Sequence, residues 1–385
     1  MTSERATRAI EAADADLITL SRYIHAHPEL GYEEHLSSAA VADTARAHGF
    51  SVETGVAGRD TAFAARIGSG RLHLALCAEY DALPDVGHAC GHNIISAASL
   101  GAAIGLAAVA DDLDLRVTLF GTPSEEGGGG KIDLLEAGYF ADVHAAMMVH
   151  PWPTERLAAA CLAVDHFDVV YEGREAHASA APWEGVNALD AAMVAQVALS
   201  ALRQQLRPGD QVHGIIAEGG SAANVIPSRV VARYMCRSVT SARLAELRER
   251  TDACFRAGAL ATGATLTITE LGHQFSHMES DPDILAHYRR AAESLGRRFD
   301  DDDAGLPLPT ISTDMANVSL AVPSIHPLIM IPTGGAVNHQ PAFTAACLGE
   351  GADRAVRDGA TALALTGVAV AQDPTLRTRL LEEAP

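Results

Sequence analysis

The stretch from Cys77 to Ala108 constrains the fold of this chain more than any other part of it. An apolar run ends in acidic residues, a loop follows, and Cys90 and His92 stand where a helix of small residues begins. A strand that leads through a loop into a helix is the repeating unit of parallel sheets. A thiolate and an imidazole one residue apart are also natural ligands of a divalent metal ion.

The same strand-to-helix pattern recurs through the first part of the chain. Strands are predicted at residues 63–67, 72–78, 116–120 and 145–149, and long helices at 3–27 and 344–365. This alternation predicts an α/β fold with a mostly parallel mixed sheet and helices on both faces. Ligands of such sheets bind beyond the carboxyl ends of the strands, which is where Glu125, Glu126 and His150 stand.

The pattern changes between residues 166 and 280. The elements predicted there follow the order βαββαβ, which is typical of an α+β ferredoxin-like domain. We therefore predict that residues 166–280 are inserted into a first domain made of residues 1–165 and 281–385. The acidic run from Asp300 to Asp303 is predicted to be a solvated loop.

Composition excludes several classes of function. The chain has 385 residues, enough for two domains, and its formal net charge of -21 argues against a nucleic-acid partner. Six scattered cysteines and an N-terminus without an apolar leader favour a cytoplasmic protein. The longest run of small apolar residues, 97–110, is too short to span a bilayer, so we expect no membrane partner.

Five side chains could together hold metal ions. Singly, each of these residues is more often structural, but as a set they offer thiolate, imidazole and carboxylate groups, enough for two divalent ions. They are Cys90, His92, Glu126, His150 and His339. Glu125 and Glu126 are neighbours whose side chains point in different directions, so Glu125 is free to act as a general base. Taken alone, Glu125, Glu126 and the glycines at 127–130 could equally form a flexible acidic turn.

Lys131 follows those glycines, as a lysine does in a phosphate-binding loop. Ile132, however, stands where such a loop needs serine or threonine, and Glu125 stands where it needs glycine. A phosphate-binding loop is therefore excluded.

The sequence resembles the M20 family of metallopeptidases and amidohydrolases, and within it the aminoacylase-like branch, subfamily D. The matching stretches run in family order: EYDALPDVGHACGHN (79–93), PSEEGGGG (123–130), VHPWP (149–153), GREAHASAAPWEGVNALDA (173–191), GGSAANVIPS (219–228), STDMANVS (312–319) and GGAVNHQPAF (334–343). The last two, together with SIHP, look most similar to the M20 domain-containing protein 2 type and to p-aminobenzoyl-glutamate hydrolase subunits.

The resemblance implies a role for each matching residue. It implies two divalent metal ions, Zn²⁺ or Mn²⁺, on Cys90, His92, Glu126, His150 and His339. It further implies Glu125 as catalytic base, Asp81 as the residue that orients the site, His177 as stabiliser of the oxyanion, and Asn224 and Arg237 as contacts of the substrate carboxylate. Glu79 stands where the wider family has a histidine, and Asn93 where the branch often has aspartate. Both departures leave the choice of metal open.

We therefore expect a binuclear metal-dependent amidohydrolase that cleaves the amide bond of an N-acyl amino acid or dipeptide. Metal-activated water would attack, with Glu125 as general base. The resemblance also implies that the inserted domain is a lid and forms a homodimer, with His177 acting in its own or the partner subunit.

One alternative is a non-catalytic small-molecule-binding or regulatory subunit that retains the fold. A thiol- or nucleotide-dependent oxidoreductase lacks the expected C-x-x-C and G-x-G-x-x-G motifs. The acyl group and the leaving amino acid stay open.

Overall fold

The computed structural model describes residues 1–299 and 310–383, which leaves the predicted loop at Asp300–Asp303 outside the described residues. The chain divides into two compact units, one made of Met1–Ala160 with Met278–Pro385 and the other of Cys161–His277.

The helices and strands follow in chain order. The helices are α1 (Thr2–Ala12), α2 (Asp14–Ala26), α3 (His35–Ala47), α4 (His92–Ala107), α5 (Gly130–Glu136), α6 (Ala188–Arg203), α7 (Ser241–Thr262), α8 (Pro282–Ser294), α9 (Met315–Ser319), α10 (Pro341–Ala346), α11 (Glu350–Gln372) and α12 (Pro374–Glu383). The strands are β1 (Ser51–Thr54), β2 (Phe63–Gly68), β3 (Leu72–Ala78), β4 (Leu115–Gly121), β5 (Ala145–Met147), β6 (His150–Trp152), β7 (Ala160–Cys161), β8 (Ala163–Glu172), β9 (Gln211–Glu218), β10 (Arg229–Ser238), β11 (Thr265–Glu270), β12 (Thr310–Ile311), β13 (Ser324–Ile325) and β14 (Leu328–Met330).

The first unit is built on a six-stranded sheet in the order β1-β2-β4-β3-β5-β13. The pairs from β4 to β13 are parallel, with Leu76 of β3 opposite both Leu119 and Met147, whereas β1, β2 and β4 pair antiparallel. The predicted mixed α/β fold with a mostly parallel sheet is therefore confirmed.

Both faces of this sheet are covered, which explains why β3 is buried along its whole length and apolar at every position but His73. Leu74 and Leu76 pack into a cluster with α1, α2, α4 and α11, while Ala75 and Cys77 pack into a second cluster on the opposite face. Successive side chains of a strand point to opposite faces, so a strand covered on both sides is apolar at nearly every position.

The Ala- and Gly-rich helix α4 is buried because it packs closely against its neighbours. A Cβ on Gly101 would lie 2.7 Å from Cβ of Ala360, and one on Gly105 would lie 2.8 Å from Cδ1 of Ile10. Small residues therefore serve helix packing here. Among the described residues we find no helix with the length and apolar character needed to span a membrane.

Two predicted long helices are each divided. The predicted helix at 3–27 is two helices, α1 and α2, which meet at Ala13, and the closing helix is interrupted between α10 and α11. Gly349 has φ 90° and ψ -171°, a conformation that no α-helix continues through.

The second unit is an antiparallel sheet in the order β11-β8-β10-β9 with the helices α6 and α7. Along the chain its elements run β8-α6-β9-β10-α7-β11. Phe167 and Tyr171 of β8 and Phe255 of α7 are fully buried in the core of this unit. Asn187 begins α6, because its side-chain oxygen accepts hydrogen bonds from the backbone N–H groups of Leu189 and Asp190.

Candidate metal and catalytic site

Segments that are far apart in sequence meet in the first unit at the carboxyl ends of its strands. Ligand-type atoms of Cys90, His92 and His150 lie within 4.8 Å of one another. The same limit holds for the set Cys90, Glu126 and His339 and for the set His92, Glu125 and Glu126. All five predicted ligands and the predicted base are therefore brought together.

The backbone around Cys90 and His92 explains how both side chains reach this cluster. Gly91 has φ 78° and lies directly before α4, so His92 is the first residue of the helix. Glycine adopts this left-handed conformation without steric cost, and a side chain at position 91 would in addition meet Pro151 at 2.9 Å.

Two histidines are oriented by oxygen atoms that they contact through Nδ1. His92 Nδ1 lies 2.8 Å from the carbonyl oxygen and 2.9 Å from Oδ1 of Asp81, and His150 Nδ1 lies 2.8 Å from the carbonyl oxygen of Pro151. Because these oxygens can only accept, Nδ1 carries the hydrogen, and Nε2 of each ring faces the cluster. Nε2 of His150 lies 3.3 Å from Cys90 Sγ, and Nε2 of His92 is buried without a hydrogen-bond partner.

That buried nitrogen makes no hydrogen bond, with Glu79 Oε2 as a charged neighbour at 3.5 Å, and it tests whether metal ions fit. Buried polar atoms are nearly always hydrogen-bonded, so an exception at the centre of a cluster of donors indicates a missing partner. Imidazole nitrogen, thiolate sulfur and carboxylate oxygen together form a donor set that suits zinc and similar divalent ions. The residues present therefore fit the metal centre that the sequence predicts.

Glu126 and His339 form the more exposed side of the cluster. His339 Nε2 lies 3.4 Å from Glu126 Oε1, and the backbone N–H of Glu126 donates to Oδ2 of Asp81 at 3.0 Å. His339 has φ 69°, and Ser124, just before the two glutamates, has φ 57°. Left-handed backbone is uncommon outside glycine and is concentrated at functional sites.

Burial and charge shift the protonation of the cluster. Burial lowers the pKa of His150 to about 4, which leaves its Nε2 unprotonated at neutral pH. Burial, and then the charges of Glu79 and Glu126, raise the pKa of Glu125 well above its usual range. A carboxyl group with a raised pKa holds an accepted proton more firmly, which suits a group that must accept a proton and later return it.

A buried group of three charges next to the cluster was not identified from the sequence. Lys131 Nζ lies 2.6 Å from Glu79 Oε1 and 2.5 Å from Asp314 Oδ1, and the three side chains are inaccessible to solvent. Burial alone would lower the pKa of Lys131, but Asp314 and Glu79 raise it well above the ordinary value, so its charge is retained. Glu79, the departure from the wider family noted above, thus holds a lysine.

Two glycines of the 127–130 run are required by the loop itself. A Cβ on Gly128 would lie 2.3 Å from Ser124 Oγ, and one on Gly130 would lie 2.1 Å from the carbonyl oxygen of Pro123. These distances are shorter than any real Cβ contact, so the loop closes on itself only with glycine at both positions.

The other predicted site residues lie in the second unit. The exposed His177 accepts the backbone N–H groups of Ser179 and Ala180 at Nδ1, at 3.3 and 3.2 Å, so its Nε2 carries the hydrogen. The carbonyl oxygen of Asn224 accepts the N–H of Ala178 at 3.0 Å, which brings Asn224 beside His177.

Arg237 is not near that pair within the unit. It stands near the far end of β10, whose first residue, Arg229, is itself beyond Asn224 along the chain. Eight residues of strand separate Arg237 from Arg229, which corresponds to roughly 26 Å. Residues 224–228 continue beyond the Arg229 end, because they hydrogen-bond along residues 173–178. One copy of this unit therefore cannot bring Arg237 and Asn224 to the same small molecule.

The profile of Peptidase family M20/M25/M40 matches residues 75–357. The chain is 40% identical over 396 residues to the Xaa-Arg dipeptidase of Mus musculus, covering 97% of this chain and 89% of that protein. It is 37% identical over 402 residues to the Xaa-Arg dipeptidase of Homo sapiens, covering 98% and 91%.

Among solved structures, a Bacillus subtilis protein described as a dinuclear metal binding peptidase from the M20 family superimposes with a TM-score of 0.71. It is 20% identical and the match covers 94% of this chain and 99% of that one. At this identity the likeness concerns the fold.

Proposed function

This chain belongs to peptidase family M20/M25/M40 and is a hydrolase of amide or peptide bonds, and we propose that it is a binuclear metal-dependent dipeptidase acting on Xaa-Arg substrates. The observation that carries this proposal is the convergence of five ligand-type side chains beside Glu125. The substrate class is supported by the two Xaa-Arg dipeptidases that match nearly the whole chain.

The metal ions would be held by the five residues named from the sequence, which are Cys90, His92, Glu126, His150 and His339. Support for this set comes from the short distances between their donor atoms and from the orientation of both buried histidine rings. When bound, two divalent ions supply the Lewis acidity that activates water and polarises a carbonyl group. The thiolate of Cys90 favours Zn²⁺ over Mn²⁺.

Glu125 would move the proton during hydrolysis. It accepts a proton from the attacking water as the water oxygen bonds to the carbonyl carbon of the substrate. It then delivers that proton to the amide nitrogen, so that the carbon–nitrogen bond breaks and the amine leaves neutral. Asp81 would keep His92 in place through Nδ1 and Glu126 through its backbone N–H.

The second unit would be a ferredoxin-like lid whose residues complete the site. His177 would donate its Nε2–H to the oxygen that becomes negative during the attack, and Asn224 and Arg237 would bind the carboxylate of the substrate. The hydrogen bonds that His177 accepts at Nδ1 support the donor role, because they leave the hydrogen on Nε2.

We propose a homodimer formed through this lid, with His177 and Asn224 acting in the site of the partner subunit. Met193 and Val197 lie one turn apart on α6 and are 61% and 70% exposed, and Ile215 is 65% exposed on the edge strand β9. Exposed apolar side chains beside an open sheet edge are typical of an interface. The separation of Arg237 from Asn224 within one copy supports the same arrangement.

A cytoplasmic location is part of the proposal. All six cysteines are free thiols, as is usual for proteins of reducing compartments.

The substrate class is tested by measuring kcat/KM on matched dipeptides. We expect Ala-Arg to be preferred over Ala-Glu and over N-acetyl-arginine by at least about 10-fold. The Glu125→Gln variant should keep its metal and lose most turnover. Equal rates on all three compounds would contradict the Arg preference, and full activity of the Glu125→Gln variant would contradict its role as base. A wild-type protein with both ions bound that hydrolyses none of them would favour the non-catalytic subunit.

The shared site is tested by mixing two inactive variants. The Glu125→Gln variant lacks the base, and the His177→Ala variant lacks the oxyanion donor. Random exchange of subunits makes half of the dimers heterodimers, and these have one intact site if His177 acts across the dimer. If His177 acts in the partner's site, we expect the mixture to regain about a quarter of wild-type activity. If the mixture stays inactive after subunit exchange has been verified, His177 acts in its own subunit.

A further inference from the structure

Glu34 lies in the turn between α2 and α3, far in sequence from the catalytic glutamates, and its side chain is completely buried. Its two carboxylate oxygens have different partners. Oε1 accepts the backbone N–H of Ser124 at 2.7 Å, and Oε2 accepts the hydroxyl of Thr61 at 2.9 Å. Nothing in the proposed mechanism uses this carboxylate.

Glu34 hydrogen-bonds Ser124, and Ser124 is the residue at which the backbone turns ahead of Glu125 and Glu126. Ser124 directly precedes Glu125 and Glu126, and its φ of 57° is left-handed. Its carbonyl oxygen accepts the backbone N–H groups of Gly128 and Gly129 at 3.0 and 2.8 Å. A serine in this conformation persists only where surrounding contacts hold it.

The residues before Glu34 fit closely around the same loop. A Cβ on Gly31 would lie 2.2 Å from Ser124 Oγ, and one on Gly128 would lie 2.3 Å from the ring of Tyr32. The Tyr32 hydroxyl donates to Asp133 Oδ2 at 2.7 Å, at the start of α5, into which the loop leads. The segment 31–34 therefore contacts the loop before the glutamates, within its glycine run and at the helix after it.

The backbone on either side of Glu125 is thus held by two buried carboxylates. Glu34 accepts the N–H of Ser124, and Asp81 accepts the N–H of Glu126. Resemblance to the family gave Asp81 a role and gave Glu34 none. We propose that Glu34 is a positioning residue that fixes the orientation of Glu125 and Glu126 by holding Ser124 in its left-handed conformation. This inference rests on the proposed function of those two glutamates.

The test compares three substitutions by steady-state kinetics on the dipeptide Ala-Arg and by hydrogen exchange of the peptide covering 120–131. Glu34→Ala removes the acceptor of Ser124, and we expect kcat to fall by about 10- to 100-fold with a much smaller change in KM. Backbone N–H groups of the loop should exchange faster. Glu34→Gln keeps a side-chain oxygen where Ser124 needs one, so kcat within about threefold of wild type is expected.

Gly31→Ala provides a second route to the same loop if Glu34→Ala does not fold. Its Cβ would displace Ser124 while Glu34 stays intact, and we expect lower kcat and faster loop exchange again.

The matched control is Glu29→Ala. Glu29 belongs to the same turn and also accepts backbone N–H groups, but those of Leu36 and Ser37 in the first turn of α3, at 2.9 and 2.8 Å. Its loss should lower stability and leave kcat and loop exchange at wild-type values.

Two results would overturn the proposal. One is a rate of hydrogen exchange in the peptide covering 120–131 that is the same in Glu34→Ala or Gly31→Ala as in the wild type. The other is a Glu29→Ala variant that loses as much kcat as Glu34→Ala, since both losses would then reflect general destabilisation. A wild-type protein without hydrolytic activity would refute the proposed function, and the exchange measurement would still decide whether Glu34 holds the loop.

Discussion

Replacing Lys131 with methionine removes the positive charge that lies between two buried carboxylates. Its Nζ is 2.6 Å from Glu79 Oε1 and 2.5 Å from Asp314 Oδ1. These oxygens are therefore at most about 5 Å apart, where two unit charges repel by about 3 kcal/mol in an effective dielectric of about 20. Removing one partner of a buried ion pair costs about 3–5 kcal/mol. We expect Lys131→Met to lower the free energy of unfolding by that amount.

The cause of the loss is isolated by a double-mutant cycle with Asp314→Asn. The asparagine keeps the shape of the side chain and removes one of the two negative charges. In that background, Lys131→Met should cost about 1–3 kcal/mol less than it does in the wild type, because it then removes the attraction of the lysine to Glu79 alone and the attraction to Asp314 is already lost.

The assay is urea unfolding at neutral pH in the presence of a chelator, so that bound metal does not contribute. The chain has two tryptophans. Trp183 belongs to the second unit and is 76% exposed, so a Trp183→Phe background leaves Trp152 to report on the first unit alone. Additive effects of Lys131→Met and Asp314→Asn, within about 0.5 kcal/mol, would refute the reasoning.

Three further outcomes are expected. Burial lowers the pKa of His73 from 6.5 to about 4, so its contribution to stability is complete above pH 6.5 and is lost as the pH falls towards 4. That loss reaches about 3 kcal/mol, and unfolding curves of His73→Gln should lack this part of the pH dependence; a slope equal to that of the wild type would argue against it. Gly130→Ala forces a Cβ against the Pro123 carbonyl and should lower the free energy of unfolding by about 1–3 kcal/mol, whereas an unchanged thermal midpoint would show that the loop can move aside. Cys90→Ala removes the thiolate, so dialysed protein should retain less zinc than the wild type; undiminished zinc content would exclude Cys90 as a ligand.

The cluster of ligand-type side chains could be predicted because its residues follow a rule of topology. Cys90, His92, Glu126 and His150 each stand just beyond a predicted strand, and the carboxyl ends of parallel strands share one edge of a sheet. His339 lies in a glycine-rich loop before a helix and was found only as one member of the set. Its place depends on a left-handed turn that sequence periodicity does not predict.

The buried charges Glu34, Glu79, Lys131 and Asp314 could not be predicted in the same way. In sequence, Glu34 stands in an acidic turn and Lys131 in the first turn of a short helix, and both positions are usually exposed. Their burial depends on chain segments 90 to 183 residues away, which supply the N–H of Ser124 and the carboxylate of Asp314. Local patterns carry no information on contacts of this range.

The prediction of one uninterrupted helix at each end of the chain was wrong for a related reason. Ile10 and Leu17 both fit a single amphipathic helix, and the sequence offers no proline or glycine at Ala13 to end it. At the other end of the chain, Gly349 is a residue type that commonly ends a helix, and the prediction of an uninterrupted helix there did not take it into account.

The proposed hydrolysis depends most on the metal ions, and counting them is its most direct test. Inductively coupled plasma mass spectrometry of the purified wild-type protein, dialysed against metal-free buffer, should find two divalent ions per chain. A dialysed chain that carries no divalent ion and still hydrolyses Ala-Arg at the full rate would contradict the account.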